Sequence, residues 1–184
     1  FVANAGTDLS NYILPTTGAG NNGVIQPKVI DLTGTRVYDG TTTAASSLFG
    51  VLQGVNGETL GVTGSGTLVT RNVGDEQAFT SLGSLALSNG GNGGLASNYT
   101  LLGGIDWVTI TPKALTANFL ANDKTYDATN AATLTGPATL AGLIAGDAVT
   151  LNNPTDAHFS DKNAGTGKTV TGDMSISGGD AGNY

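Results

Sequence analysis

Apolar and polar residues alternate along this chain in short runs, and the runs come twice. Val29-Ile30-Asp31-Leu32 sets Ile30 and Leu32 on one side of an extended backbone, and Leu115, Ala117 and Phe119 repeat the period further on. A period of two marks a strand with one buried face, so both runs are predicted to be half-buried strands. Leu60 to Thr70 and Ala148 to Ser160 each read as a pair of strands around a polar turn. Matched tight turns follow at Arg71-Asn72-Val73-Gly74 and Lys162-Asn163-Ala164-Gly165, and then a further strand in Gln77 to Leu87 and in Lys168 to Ser177. Leu101 to Thr111 is predicted to be a closing strand, with Ile105, Trp107 and Thr109 on one face and Val108 and Ile110 on the other. Ser47 to Gly54 and Leu140 to Asp147 fit either one short helical turn or a loop. No long helical period appears, so the expected fold class is all-β.

Small landmarks recur in the same order and divide the chain. Asn11-Tyr12, Asn98-Tyr99 and Asn183-Tyr184 lie roughly 85 to 87 residues apart, about the size of a small domain. After the first two pairs come Gln26-Pro27-Lys28 and Thr111-Pro112-Lys113, and then Tyr38-Asp39 and Tyr126-Asp127. Residues 1–27 therefore read as the closing strand segment of a preceding repeat, 28–113 as a complete repeat, and 114–184 as a repeat lacking its last strand. Pro112 has no N–H to give a ladder, so it is expected to stop one strand and make a stiff joint with the next. The Asp39 and Asp127 side chains are expected to accept hydrogen bonds from the amides that follow them. Ala128 stands where the first copy has Gly40, which suggests a type I turn without positive φ. Tyr38 and Tyr126 are expected to occupy equivalent buried positions.

Composition narrows the chemistry more than it defines it. The 184 residues include 29 Gly and no Cys, with only 11% charged, so each small core has neither a disulfide nor a thiolate metal site to staple it. The net charge of −7, with seven scattered Lys and Arg, supplies no basic patch, and nucleic-acid and membrane-surface partners are disfavoured. No apolar run is long enough to span a membrane, so no membrane insertion is expected. A single His and no nucleophile elbow give no reason to expect an enzyme. Asp173, Asp180 and Asn183 near a glycine-rich turn offer hard oxygen ligands of the kind calcium takes, yet no regular calcium-loop spacing accompanies them, and no cofactor or metal is assigned. Glycines 90, 91, 93 and 94 read as a flexible loop. Ile105 and Trp107 form a candidate contact surface, either for an outside partner or, because Pro112 is close, for the next domain.

Taken together, Tyr-Asp-Gly-Thr-Thr, Lys/Arg-Asn-Val/Ala-Gly, Gly-Gly-Asp-Ala-Gly-Asn-Tyr and Ile-Thr-Pro-Lys resemble the YDG-type repeats of large secreted bacterial adhesins. The chain is more distantly similar to extracellular MBG-type repeats. Departures are Ala128 for the motif glycine, the glycine-rich insertion at 88–94, and Asp75-Glu76-Gln77 where such repeats usually have Thr-Gly-Lys. Repeats of this kind occur in tandem in filamentous-haemagglutinin-like exoproteins. The resemblance thus implies a secreted or cell-surface location and a role in adhesion or biofilm, with no reaction attached.

Two functional readings follow. The first is a structural module: tandem small β-sandwich-like or β-grasp-like domains in an elongated array, on the order of 30 Å per repeat. Its partners are neighbouring repeats, or further copies joined head to tail by strand complementation. The alternative is a ligand-binding adhesin module that recognises a glycan, a surface protein, or a host or matrix surface through its loops. A helix at Leu140 to Gly146 would favour the β-grasp arrangement.

Overall fold

The computed structural model describes residue 20 and residues 23–184, so most of the strand segment expected at the start of the chain lies outside the described residues. The first segment holds ten strands: β1 (Lys28–Val29), β2 (Thr33–Val37), β3 (Thr43–Ala45), β4 (Leu52–Gln53), β5 (Thr59–Thr63), β6 (Ser65–Leu68), β7 (Gly74–Ser81), β8 (Ala86–Asn89), β9 (Tyr99–Thr100) and β10 (Trp107–Thr111). Among the described residues, helical structure is limited to 3-10 turns of three residues, and the chain is all-β. Ser46–Leu48 is such a turn, whereas 140–146 runs from the end of a strand into a loop. The helix that would have favoured a β-grasp arrangement is therefore not formed there.

Five strands make a curled mixed sheet in the order β2-β10-β7-β6-β3. Within it β10 runs parallel to β2 and antiparallel to β7, the parallel pairing being reached only after the chain has traversed the whole segment. Val108 and Ile110 on one face of β10 are 0% and 1% exposed, while Trp107, Thr109 and Thr111 on the other face are half-buried. Tyr38, Leu32, Leu60 and Leu68 join Val108 and Ile110 as the most deeply buried large side chains. Each contributes about 1.5 to 3 kcal/mol through removal of apolar surface from water. The expected closing strand is shorter than predicted, beginning only at Trp107. Before it, Gly103 turns the chain at φ +85°, and the Asp31 and Asp106 carboxylates take up the amides of Ile105 and Leu32 at 2.8 and 2.7 Å.

The stretch 60–70 does not form a strand pair of its own. β5 pairs with β8 in the sheet β4-β5-β8, whereas β6 pairs with β7. Residues 59–68 and 74–89 are two arms of one long hairpin, tipped at 71–73 and broken at matching points. Gly64 (φ +83°) breaks one arm and Gly83 (φ +57°) the other, and a Cβ on Gly64 would run into the Ser84 carbonyl. Ser65 N donates to Ser84 Oγ at 3.0 Å and Ser84 N to the Ser65 carbonyl at 2.9 Å, which stitches the corner. That corner folds the two sheets over one core.

The second segment keeps the alternation and loses the enclosure. Its strands, β11 (Thr116–Asn118), β12 (Thr139–Ala141), β13 (Thr150–Asn152), β14 (His158–Phe159), β15 (Val170–Thr171) and β16 (Ser175–Ser177), form three separate ladders, β11–β12, β13–β16 and β14–β15. Leu115, Phe119, Leu151, Phe159 and Ile176 alternate with exposed neighbours yet are only half-buried, and Ala157 is the one apolar residue of this segment to be buried. The cause is visible in the pairing. Residues 121–125 correspond to β2 and 165–171 to β7, and among the described residues no strand lies between them in the place of β10.

Candidate functional site: the joint between the segments

The most concentrated polar chemistry lies where the two segments meet, and Tyr38 is its centre. Tyr38 and Tyr184 both donate their hydroxyls to Asp147 Oδ2, at 2.8 and 2.5 Å, and their rings meet edge-on with centroids 5.5 Å apart. Arg71 reaches across from the hairpin tip to Asp147 Oδ1 and to Asp180 Oδ1, both at 2.8 Å. Beside it Val73 N donates to Asn183 Oδ1 at 2.9 Å, and Asn183 Nδ2 donates to Asn72 Oδ1 at 3.3 Å. Tyr184 OH in turn accepts from Ile144 N at 2.9 Å. The Asp147 side chain is 0% exposed, so its charge is out of water and has to be met by partners, which it is three times over. The Tyr184 hydroxyl chiefly, helped by Tyr38 and Arg71, holds the Asp147 carboxyl below the usual carboxylate range. Burial, and then the bond to Asp147, pushes Tyr38 up to about 12.

The turn after each motif tyrosine is tied by a cation. Arg36 Nη1 contacts Asp39 Oδ2 at 2.6 Å, Thr41 Oγ1 at 3.1 Å and the Thr43 carbonyl at 3.1 Å, and its Nη2 donates to the Thr41 carbonyl. Lys124 Nζ repeats the clamp on Asp127, Thr129 and the Ala131 carbonyl at 2.9 to 3.0 Å. Thr41 N and Thr129 N donate to Asp39 and Asp127, each at 2.9 Å, as the sequence predicted. The Thr129 amide first, and Lys124 next, lower the Asp127 carboxyl to about 2. Gly40 has φ +77° and Ala128 φ +65°, so the absence of positive φ expected from the alanine is wrong. The shared clamp and hydrogen bonds hold both turns left-handed at this position whichever residue occupies it. Glu76, at φ +50°, and Gly167, at φ +65°, form a second such pair at corresponding places.

Tyr126 corrects another expectation. It is 60% exposed where Tyr38 is 1% exposed, because the cover over Tyr38 comes from the second segment and no described residue plays that part for Tyr126. Instead Tyr126, with Phe119, Phe159, Lys162, Asn163 and Val170, lines an open groove of about 650 Å³. Tyr99 is buried; it donates to Glu58 Oε2 at 2.5 Å and accepts from Val55 N at 2.8 Å, the same arrangement that Tyr184 makes with Asp147 and Ile144. Asn183 is 5% exposed and bound across the joint, whereas its counterpart Asn98 is exposed. Asp39 and Asp127 are half-exposed anchors for the clamps, and Pro112 is exposed just after β10.

Ile105, in the loop before β10, is 74% exposed, and Trp107 is half-buried at the first position of β10, the end remote from Pro112. Neither joins the network around Tyr38, so closeness in sequence to Pro112 did not translate into contact across the joint. Asp180 gives one oxygen to Arg71 and the other to Ala148 N at 2.9 Å, and Asn183 is likewise committed, so two of the three residues considered as calcium ligands are spent on the joint and only Asp173 is not part of it. The glycine loop is held as well: Gly91 N donates to Thr59 Oγ1 at 2.7 Å and Thr59 N to the Gly91 carbonyl at 3.1 Å. Sequence reasoning gave no role to the side chains of Arg36, Arg71, Lys124 and Asp147. A cation two residues before each motif tyrosine was the available signal for Arg36 and Lys124; Asp147 had none.

No curated protein and no solved structure matches this chain. The family model described as the YDG domain matches twice, over residues 24–106 and 111–184. Its two matches meet across the Tyr38–Asp147 joint and together span most of the sequence, and the chain belongs to the YDG domain family.

Proposed function

We propose that this chain is a structural repeat module of a secreted or cell-surface bacterial adhesin. In this reading small β-sandwich-like units stand in tandem as a stretch of stalk or fibre, elongated and joined head to tail by strand complementation. The observation that carries the reading is the joint. β10 passes into β11 through residues 112–115 alone, and the Arg71 ion pairs with Asp147 and Asp180, the Tyr38 hydroxyl on Asp147 and the Asn183 side chain on Val73 and Asn72 lock the segments beside it. A spacer needs a joint that resists bending and has no need of a pocket with reactive groups. Its partners are neighbouring repeats and further copies of the same unit, set out from the cell towards a host or matrix surface.

X-ray scattering of the dilute chain tests the reading, with one rigid elongated particle as the expected outcome; a broad distribution of angles between segments contradicts it. A glycan and surface-protein array distinguishes the spacer from a ligand-binding adhesin, because saturable binding through the loops would move the assignment to the latter.

A further inference from the structure

Tension on a stalk enters a repeat along one limb of its chain and leaves along another, so what the repeat can bear depends on how those two limbs are held together. In the first segment they are neighbours. The entering limb, residues 28–38, lies beside the leaving limb, residues 99–111, and the two run in the same direction throughout. β1 pairs parallel with β9, Lys28 opposite Tyr99 and Val29 opposite Thr100, and Ile30 N donates to the Thr100 carbonyl at 2.9 Å. β2 then pairs parallel with β10, from Thr33 opposite Trp107 to Val37 opposite Thr111. Backbone bonds close both ends of this second ladder: Trp107 N donates to the Leu32 carbonyl and Tyr38 N to the Thr111 carbonyl, each at 2.9 Å.

The interval between the two ladders is bridged as well. Asp31 on the entering limb accepts from Ile105 N on the leaving limb at 2.8 Å, and Asp106 on the leaving limb accepts from Leu32 N on the entering one at 2.7 Å. The exchange is reciprocal, so neither limb passes this point unattached. Gly104 lets the chains approach here, since a Cβ on it would lie 2.9 Å from the Ile30 carbonyl oxygen. Beneath the seam, Ile30, Leu32 and Tyr38 of one limb and Leu101, Val108 and Ile110 of the other are all buried, which keeps water away from one side of these bonds.

The direction of pairing decides how load falls on such a seam. Antiparallel neighbours pulled from adjacent ends open bond after bond, and each bond carries the whole force in its turn. Parallel neighbours pulled from opposite ends must slide past each other, so the bonds crossing between them are loaded together. Here a pull on Lys28 is directed towards the start of the seam and a pull on Thr111 towards its end. The entering limb is the one to slip, because β2 is an edge of its sheet while β10 is held on its other side by β7. Residues 39–98 lie between the limbs in sequence and outside this loaded path, so they feel little force until the seam gives.

We propose that the seam of β1–β9 and β2–β10, joined by the Asp31 and Asp106 exchange, is a load-bearing element that lets the first segment withstand tension along the stalk. This rests on the structural-module reading and adds to it the mechanical task, the element that performs it and the place where it breaks.

The chain has no cysteine, so an introduced pair fixes where force is applied. Gln26→Cys with Ala114→Cys loads the seam from its opposite ends, whereas Gln26→Cys with Ser97→Cys loads it from one end and makes it peel. All three positions are exposed, so the interior is the same in both. In single-molecule pulling at one fixed speed, the first pair is expected to unfold at about threefold higher force than the second, because its load is shared along the seam. It is also expected to lengthen in one step, on the order of 250 Å, as the whole segment follows the seam. In the first geometry, Asp31→Ala with Asp106→Ala is expected to unfold about tenfold faster or more under load, having lost two bonds to charged acceptors. Leu87→Ala, on β8 and away from the seam, destabilises the segment to urea but should leave the rate under load within about twofold, because its packing persists until the seam has parted. Equal forces in the two geometries, lengthening in a series of small steps at low force, or an aspartate variant that unfolds under load no faster than Leu87→Ala each overturn the proposal. Scattering of the dilute chain judges the stiff-spacer reading by a different observable, so the failure of one is distinguishable from the failure of the other.

Discussion

Replacing the two motif tyrosines one at a time tests the central contrast in this molecule, since the same local sequence sits in opposite surroundings. Tyr38 is 1% exposed, packs its ring against Tyr184 and donates to a carboxylate whose own side chain is 0% exposed. Tyr38→Ala removes a buried aromatic and leaves a cavity, for which about 3 to 5 kcal/mol is the usual cost. For a chain of this length that corresponds to a fall in melting temperature of about 6 to 20 °C. Tyr38→Phe keeps the ring and removes only the hydroxyl. Asp147 then retains Tyr184 and Arg71, so a loss of about 1.5 to 3 kcal/mol is expected, the range for a hydrogen bond to a charged group. Tyr126→Ala, at a side chain 60% exposed, should change the dilute monomer by no more than about 0.5 kcal/mol. Urea titrations and thermal melts of the three variants at micromolar concentration, both followed by circular dichroism, give the differences directly. Equal losses for Tyr38→Ala and Tyr126→Ala, or a change below 1 °C for Tyr38→Ala, would refute the claim that the second segment buries the first tyrosine.

Other outcomes follow from the same geometry. Ala128 and Glu76 hold left-handed backbone at φ +65° and +50°, so Ala128→Gly and Glu76→Gly are each expected to stabilise by about 0.5 to 1 kcal/mol in denaturant melts. Lys124→Met should raise the Asp127 carboxyl from about 2 without returning it to 3.8, because the Thr129 amide remains; carboxyl chemical shifts against pH read this, and an unmoved titration contradicts the clamp. The joint should have both an acid and an alkaline limit. The Asp147 contribution is present above the ordinary carboxylate value of 3.8 and is lost as pH falls through its lowered folded value. The Tyr38 contribution is complete below 10.0 and lost as pH rises through about 12. A melting temperature unchanged at both extremes would show that neither group stabilises the joint.

Local rules that need only neighbours were legible in the sequence. The alternation at Ile30 and Leu32 identified core-facing positions, and that of Leu101 to Thr111 set Val108 and Ile110 on one face without saying that this face is the core, because a pleated strand sends successive side chains to opposite faces whatever it later packs against. Asp39 and Asp127 were readable as turn anchors because their partners lie two residues away. The repeat order placed the joint at Pro112 and gave the family. Tertiary structure decided what depends on residues far apart in the chain. Whether a motif tyrosine is buried depends on Asp147 and Tyr184, about a hundred or more positions from Tyr38, and no pattern around Tyr126 records that none of the described residues covers it. The 60–70 stretch reads as a pair of strands around a polar turn; only the facing Gly83–Ser84 corner makes it a bend from one sheet into another. The sign of φ at Ala128 was misread for a related reason. A side chain shows what a backbone position prefers, while a clamp of hydrogen bonds from Lys124 determines what it adopts.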